Sequence, residues 1–129
     1  MDDEGLKIGE VADLTGISNP TLRHYDNHGL ITPSGRSPGG FRLYNEDDVR
    51  RVLLVRRMKP LGFTLDQMRE FLDAAEIVMD LVDVPPLRRK QAEVTLTAIR
   101  EEASNRYDKL LTQLGYAEEF LELVSGLET

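Results

Sequence analysis

The spacing of apolar residues predicts two short helices at the start of the chain. Residues 6–15 place their apolar side chains on one side of a helix, and Gly16 can end that helix in the left-handed conformation. A second helix is indicated by Ser18 as N-cap and Pro20 in the first turn, and Gly29 ends it. Two short helices joined by a tight turn that contains glycine are typical of a helix-turn-helix.

A β-hairpin is predicted to follow the second helix. Residues 31–40 combine an extended start with a loop rich in glycine and proline, and an alternating stretch comes after them. Successive side chains of a strand point to opposite faces, so we expect Arg42 and Tyr44 to share one face. Phe41 and Leu43 would share the other. A hairpin beside a helix-turn-helix is a wing.

Local signals delimit three further helices. The third begins at the N-cap Asn45 and ends where the sequence Lys-Pro-Leu-Gly interrupts it. The fourth begins at the capping-box pair Thr64 and Gln67, and its apolar stripe extends to Val82. A pair of prolines at residues 85–86 stops that helix and allows a long fifth helix to begin.

The fifth helix carries a regular apolar stripe with a period of about 3.67 residues per turn, close to that of a straight helix. Such a stripe needs a covering surface, which either the chain's own helices or a second copy can supply. We favour a second copy, because the helix is far longer than the N-terminal unit is wide. Gly115 is expected to end the helix, and a short amphipathic helix would follow. The stripe consists of Ala92, Leu96, Ile99, Ala103, Tyr107, Leu110 and Leu114.

Charge is distributed unevenly along the chain. The formal net charge is −7, yet residues 18–60 hold eight Lys or Arg and only four acids. Residues 71–129 instead hold six Lys or Arg and twelve acids. A basic block within an acidic chain marks where a polyanion can dock.

The composition argues against several classes of protein. The chain has no Cys, which excludes disulfides, thiolate metal sites and cysteine nucleophiles and fits a reducing cytoplasm. No stretch approaches the ~18 consecutive apolar residues of a membrane span, and no secretory signal is visible. His24 and His28 lie four residues apart, but two imidazoles without a third ligand seldom hold a metal, so we expect no metal and no cofactor. No nucleophile–base pair or phosphate loop indicates an enzyme.

Several motifs within residues 8–72 occur together in a known pattern. They are IGEVA in the first helix, TLRHYD in the second, GL with a following Pro, GGFRLY in the wing and LGFTL before the fourth helix. In register, and over half of the chain, they resemble the DNA-binding region of the MerR family of bacterial transcription regulators.

The resemblance implies a fold and its division into domains. The fold class is mainly α, with a winged helix-turn-helix DNA-binding head, a small β-hairpin wing, a long dimerisation helix in an antiparallel coiled coil and a short C-terminal helix. The head would cover residues 5–75, and residues 76–86 would form a linker with the end of the fourth helix. The dimerisation helix would cover residues 87–114 and the short C-terminal helix residues 115–129.

The resemblance also implies which residues contact DNA. Arg23 lies where the recognition helix of the family enters the major groove, and a bidentate contact with guanine there would discriminate between bases. Arg36, Arg42 and Tyr44 on the wing resemble the family's clamps on the DNA backbone. The expected DNA-binding residues are Ser18, Thr21, Arg23, His24, Tyr25, Arg36, Arg42, Tyr44, Arg56 and Lys59.

The implied function is that of a cytoplasmic homodimer that binds a palindromic promoter operator in double-stranded DNA. Such a regulator bends and untwists the DNA so that RNA polymerase, an indirect partner, can engage both promoter elements. No membrane partner is expected. An architectural or recombination-accessory DNA-binding protein with the same winged head is the alternative. Without cysteines or a large C-terminal domain, the chain responds either to an unidentified small-molecule effector or to none.

Overall fold

Five helices and one two-stranded hairpin follow each other along the described chain, so the mainly helical class predicted from the sequence is confirmed. The computed structural model describes residues 5–128. Residues 1–4 of the acidic N-terminus and Thr129, the last residue of the expected C-terminal helix, lie outside it. The elements are α1 (Ile8–Thr15), α2 (Asn19–Asn27), β1 (Gly35–Arg36), β2 (Arg42–Leu43), α3 (Glu46–Met58), a 3-10 turn (Lys59–Leu61), α4 (Leu65–Val78) and α5 (Pro86–Leu127).

The predicted caps form the helix ends. Ser18 caps α2, where its side chain accepts a hydrogen bond from a backbone N–H of the first turn. Asn45 starts α3 with a reciprocal capping box. Thr64 and Gln67 form a second such box at α4, with bonds of 2.9 and 3.1 Å. These side chains satisfy backbone N–H groups that have no partner inside the helix.

The first four helices surround one hydrophobic core, and together with the hairpin they form the head, residues 5–78. The antiparallel hairpin sets Arg36 opposite Arg42, and an isolated bridge joins Tyr44 to Leu6. The fully buried side chains of the head include Val11, Leu22, Leu30, Tyr44, Val52, Val55 and Leu72.

Two arginines from later helices bind carbonyl oxygens at the C-terminal ends of α1 and α2. Arg56 of α3 donates to the carbonyl oxygen of Thr15 at the end of α1, at 2.8 Å. Arg69 of α4 donates to the carbonyl oxygen of His28 just after α2, also at 2.8 Å. Cationic donors at helix C-termini satisfy free carbonyls and complement the helix dipole. The orientation of α1 and α2 is therefore fixed by the helices behind them.

The fourth helix ends earlier than its apolar pattern predicted. It stops at Val78, and Asp80 adopts a left-handed conformation with φ of 60°. Met79 and Val82, which the pattern assigned to the buried stripe, lie exposed in the loop that follows. Arg89 of α5 closes this end by donating to carbonyl oxygens of the last turn of α4.

The fifth helix is one continuous element of 42 residues. The predicted break at Gly115, and with it the separate short helix over residues 115–129, is wrong. Glycine inside a helix costs only about 1 kcal/mol relative to alanine. Good helix formers on both sides offset that cost, and the geometry here does not require a left-handed residue.

The apolar stripe of α5 is divided between two environments. Ala92 and Leu96 pack against the end of α4, and Ile99 and Ala103 pack against the core of the head. Ala92 is buried by its own chain, which leaves no surface for its predicted contact with a second copy. The contacts predicted for the other three residues stay predictions, because these residues are only partly buried. The rest of the stripe, beyond the head, is exposed: Tyr107, Leu110 and Leu114.

Candidate nucleic-acid interface

The second helix presents an exposed arginine, Arg23, with a cleft on each side. The wing cleft, of about 420 Å³, lies between α2 and the hairpin. The corner cleft, of about 470 Å³, lies between α2 and the turn that leads into α4. The wing cleft is lined by Lys7, Ile8, Arg23, Asn27, Arg36, Gly40, Phe41, Arg42 and Tyr44. The corner cleft is lined by Pro20, Thr21, His24, Tyr25, Lys59, Phe63, Thr64, Leu65 and Met68.

Four basic side chains converge on the wing cleft. Arg23, Arg36 and Arg42 were predicted from the sequence, and the structure brings them together. Lys7 joins them from the start of α1, with its Nζ 5.2 Å from the centroid of the Phe41 ring. A cation over an aromatic face is attracted to it. The cleft therefore concentrates positive charge beside the exposed face of α2.

Asp26 connects the second helix to the wing. One of its carboxylate oxygens accepts hydrogen bonds from Arg42 and from the hydroxyl of Tyr44, each at 2.8 Å. The carboxylate is nearly buried, while 42 % of the Arg42 side chain stays exposed. Arg42 is thus held in place on one side and still offers N–H donors to a ligand on the other.

Tyr44 does not lie on the exposed face of the hairpin. Only 1 % of it is exposed, and the predicted direct contact with a phosphate is wrong. Tyr44 pairs with Leu6 through two backbone hydrogen bonds of 2.7 Å, and its side chain shares a face with Arg42, where Asp26 of α2 binds both side chains. Burial and then the bond to Asp26 raise the pKa of its hydroxyl to about 12. Its role is to orient Asp26.

The corner cleft gathers four further predicted residues, Thr21, His24, Tyr25 and Lys59. Tyr25 was predicted to contact DNA, but its ring lies in the core, three residues after the buried Leu22 on the same side of α2. Its hydroxyl is buried and, among the described residues, has no hydrogen-bond partner. Burial also raises the pKa of this hydroxyl. An unpartnered buried hydroxyl is costly, so this group needs an acceptor.

Two predicted DNA contacts are used inside the protein. The hydroxyl of Ser18 caps α2 and also donates to the hydroxyl of Thr21 at 3.0 Å. The guanidinium of Arg56 is occupied at the end of α1, away from both clefts. The predicted DNA contact of Arg56 stays a prediction, since its side chain is exposed, and the structure gives its charge a role in the fold.

The structure adds cleft residues that the sequence analysis missed. Lys7, Asn27 and Phe41 line the wing cleft, and Phe63 and Thr64 line the corner cleft. Lys7 lies outside the basic block of residues 18–60, so charge clustering along the chain could not identify it. Asn27 belongs to α2 itself, and the other four residues meet α2 only through tertiary packing.

The fifth helix carries a second exposed apolar surface, on the side opposite the head. Helical spacing of about 100° per residue places two groups on it, each spaced by four, three and four residues. We name it the outer face. All of its apolar members are exposed, and the groups are Leu87, Gln91, Val94 and Ala98 near the start and Tyr116, Phe120, Leu123 and Leu127 near the end.

Comparison with known proteins identifies the family. Residues 6–75 match the model of the MerR HTH family regulatory protein. The nodulation protein NolA of Bradyrhizobium sp. (strain NC92) is 35 % identical over 100 residues, which cover 77 % of this chain and 42 % of NolA. The chain spans only 35 to 42 % of the length of the three NolA proteins that it matches.

Solved structures agree with this assignment. The N-terminal part of the Bacillus subtilis multidrug transporter activator, MtaN, is 30 % identical, with a TM-score of 0.50, over 87 % of this chain and 96 % of that one. HiNmlR, a MerR family regulator that lacks the sensor domain and was solved bound to promoter DNA, shares the fold with a TM-score of 0.70. It is 21 % identical over 95 % of this chain and 88 % of its own. The chain belongs to the MerR HTH family of regulatory proteins.

Proposed function

We propose that this protein is a transcription regulator that binds duplex DNA with α2 in the major groove. The observation that carries the proposal is the exposed Arg23 on α2 between two clefts with cationic and hydrogen-bond donor groups. An α-helix fits the major groove of B-DNA, and the phosphate backbones then lie on both sides of it. The arrangement matches that geometry, with a base-reading residue in the centre and donors on each flank.

The wing cleft is proposed to hold backbone phosphates. Arginine and lysine supply most protein contacts to phosphate oxygens, and such contacts fix the register of a protein on the duplex. Arg42 is bound by Asp26, which lies on α2, the helix that also carries Arg23. The position of the free N–H groups of Arg42 is therefore set by α2. The wing and the recognition helix therefore approach the DNA as one unit.

The corner cleft is proposed to hold a phosphate of the opposite strand. A phosphate oxygen in this cleft would give the hydroxyl of Tyr25 the acceptor that it lacks within the described chain. Lys59 and His24 line the same cleft and add donors. Charge-assisted hydrogen bonds of this kind are about twice as strong as neutral ones.

The protein is proposed to act as a homodimer through the outer face of α5. The two apolar groups of that face mirror each other about residue 107. In an antiparallel pair centred there, each group covers the other group of the second copy, so that Val94 meets Phe120 and Ala98 meets Tyr116. Exposed apolar residues in this number mark an interaction surface.

Charge supports the antiparallel direction. Residues 86–98 contain three Lys or Arg and one acid, and residues 116–128, which mirror them about residue 107, contain four Glu and no Lys or Arg. Basic residues at the start of a helix and acidic residues at its end interact unfavourably with the helix dipole, because each lies beside a partial charge of its own sign. An antiparallel partner sets each basic start beside an acidic end, whereas a parallel partner would bring like charges together.

Two heads related by a twofold axis fit a palindromic promoter operator. The proposed dimer bends and untwists this DNA so that RNA polymerase engages both promoter elements, a change that a plasmid linking-number assay measures directly. The action of a small-molecule effector on the dimer stays a prediction. None of the helices within residues 5–128 is long and apolar enough to cross a membrane.

The test begins with duplexes selected from a random-sequence library by the purified protein. Replacing Arg23 with alanine is expected to weaken binding to the best selected duplex about tenfold or more, because the substitution removes the hydrogen bonds to guanine. Fluorescence anisotropy measures the affinity. The matched control is Arg100→Ala, since Arg100 is exposed on α5 outside both clefts. Equal losses in the two variants would refute α2 as the recognition helix.

The salt dependence of the same binding curves tests the phosphate contacts. A substitution that removes one bond to a phosphate should lower the slope of log affinity against log salt concentration by about 0.9. Transcription in vitro from a promoter that contains the selected duplex then separates a regulator from an architectural DNA-binding protein. Binding without any effect on transcription would favour the architectural role.

A further inference from the structure

Arg106 connects the fifth helix to the segment that borders the corner cleft, residues 59–63, which we name the corner. Its Nη1 donates to the carbonyl oxygen of Leu61 at 3.0 Å, and its Cζ lies 4.4 Å from the centroid of the Phe63 ring. Its Nε pairs with Glu102 at 2.8 Å, and 26 % of the side chain is exposed. The guanidinium is therefore held from three directions.

The corner has little local structure to hold it. It consists of a single 3-10 turn that ends at Gly62, which adopts φ of 79° and donates to the carbonyl oxygen of Lys59 at 2.9 Å. Short 3-10 turns make poor hydrogen bonds. The position of Lys59 relative to Tyr25 therefore depends on the contacts that the corner makes with other elements, and Arg106 supplies two of them.

We infer that Arg106 is a positioning residue for DNA binding. It holds Leu61 and Phe63 so that Lys59 and the hydroxyl of Tyr25 reach the same phosphate. The inference rests on the proposed function, because it requires that the corner cleft binds a phosphate and assigns to Arg106 the placement of Lys59 there. Arg106 itself faces the inner side of the corner and does not line the corner cleft.

The place of Arg106 in α5 gives the contact a further consequence. Arg106 directly precedes Tyr107, where the apolar stripe of α5 becomes exposed and the proposed dimer has its centre. A displacement of α5 along its axis would move the Arg106 guanidinium and with it the hydrogen bond to Leu61. The contact between α5 and the corner therefore lies at the level of the proposed twofold axis.

A double-mutant cycle tests this role. Arg106→Ala, Lys59→Ala and the double variant are compared by fluorescence anisotropy with the best duplex selected by the wild-type protein, over a series of salt concentrations. Arg106→Ala is expected to weaken binding about tenfold. It should also lower the salt slope by about 0.9, as removal of one bond to a phosphate does. Because Arg106 acts through Lys59, the double variant should bind no more weakly than Lys59→Ala alone.

Further variants separate positioning from general stability. Arg106→Lys keeps a cation over Phe63 and a donor for Leu61, so it should restore most of the affinity and the full salt slope. Arg100→Ala, on the same helix, should change neither quantity. Phe63→Leu keeps apolar volume in the corner but removes the aromatic face, and it should reproduce the slope change of Arg106→Ala. Thermal unfolding followed by circular dichroism verifies that every variant is folded at the assay temperature.

The outcomes are distinct. Losses that add in the double variant, or an unchanged salt slope in Arg106→Ala, would overturn the inference and leave Arg106 a stabilising contact only. If Arg23→Ala and Lys59→Ala lose affinity while Arg106→Ala does not, the inference fails and the proposed interface stands. If none of these variants loses affinity, the proposed function itself fails.

Discussion

At the scale of single residues, Asp26 has an unusual position for a protein that is proposed to bind a polyanion. A carboxylate beside the wing cleft would repel phosphates if it were free. Its charge is instead shared between Arg42 and the hydroxyl of Tyr44, both at 2.8 Å. Asp26 therefore holds the side chains of Arg42 and Tyr44 in fixed positions, and the guanidinium of Arg42 stays partly exposed.

The proton on Tyr44 makes this arrangement sensitive to alkaline pH. The pKa of the folded-state hydroxyl is about 12, against 10.0 for an unperturbed tyrosine. Above pH 10 the unfolded chain loses this proton while the folded protein keeps it, so stability falls as the pH rises from about 10 toward about 12. Between about pH 9 and about pH 11 the wild type should lose about 1 kcal/mol more unfolding free energy than Tyr44→Phe.

Urea unfolding at the two pH values measures this difference. The buried hydroxyl of Tyr25 is common to both proteins, so its contribution cancels in the comparison. Parallel losses of stability in wild type and Tyr44→Phe would show that the hydroxyl of Tyr44 does not retain its proton in the fold.

At the scale of elements, the sequence predicted what local chemistry determines. Ser18, Asn45 and Thr64 were recognised as N-caps because a capping side chain and its backbone partner are only three residues apart. Arg23, Arg36 and Arg42 were predicted as DNA contacts through motifs, and they lie in one cleft. The arrival of Lys7 in the same cleft depends on packing between distant segments, and no spacing along the chain encodes it.

Three element-level predictions failed for identifiable reasons. Gly115 was read as a helix end, but a lone glycine is only a weak breaker when strong helix formers flank it. Strand alternation placed Tyr44 on the same face as Arg42, but Asp26 of α2 lies over that face and the tyrosine is buried. The apolar stripe of α5 was assigned to a second copy as a whole, because periodicity alone does not tell which surface covers a helix face.

Arg56 illustrates how a basic residue can be needed for an element rather than for a ligand. Its bond to Thr15 satisfies a carbonyl at the end of α1. Arg56→Ala is therefore expected to lower the unfolding free energy by about 1 kcal/mol, while the salt slope of DNA binding stays unchanged. The neighbouring exposed Arg57 offers a matched control, and Arg57→Ala should change stability by less than about 0.5 kcal/mol. Urea unfolding and anisotropy titrations together decide this, and a reduced salt slope with intact stability would restore Arg56 to the DNA contacts.

At the scale of the whole molecule, the head and the end of α5 differ in how far their apolar side chains are buried. The head buries its apolar residues within one chain, whereas the last 21 residues of α5, from Tyr107 to Leu127, extend beyond it with large apolar side chains exposed on two sides. A helix of that length spans roughly 32 Å. Such a surface is unfavourable in water unless another chain covers it. The proposed dimer therefore follows from the energetics of a single chain as much as from the symmetry of its DNA target.

The register of that dimer can be measured by disulfide cross-linking, because the chain has no native cysteine to interfere. In the antiparallel pair centred at residue 107, Val94 of one copy lies beside Phe120 of the other. The double variant Val94→Cys, Phe120→Cys should therefore form a covalent dimer under mild oxidation, detected by non-reducing electrophoresis. Val94→Cys alone should not, because its two copies would be roughly 39 Å apart, far beyond disulfide reach. In a parallel pair, Val94→Cys alone would form a covalent dimer, since Val94 would then face its own counterpart. A shifted antiparallel register would leave both variants monomeric on the gel. Only the centred antiparallel register cross-links the double variant and spares the single one, and that register also joins each basic helix start to an acidic helix end.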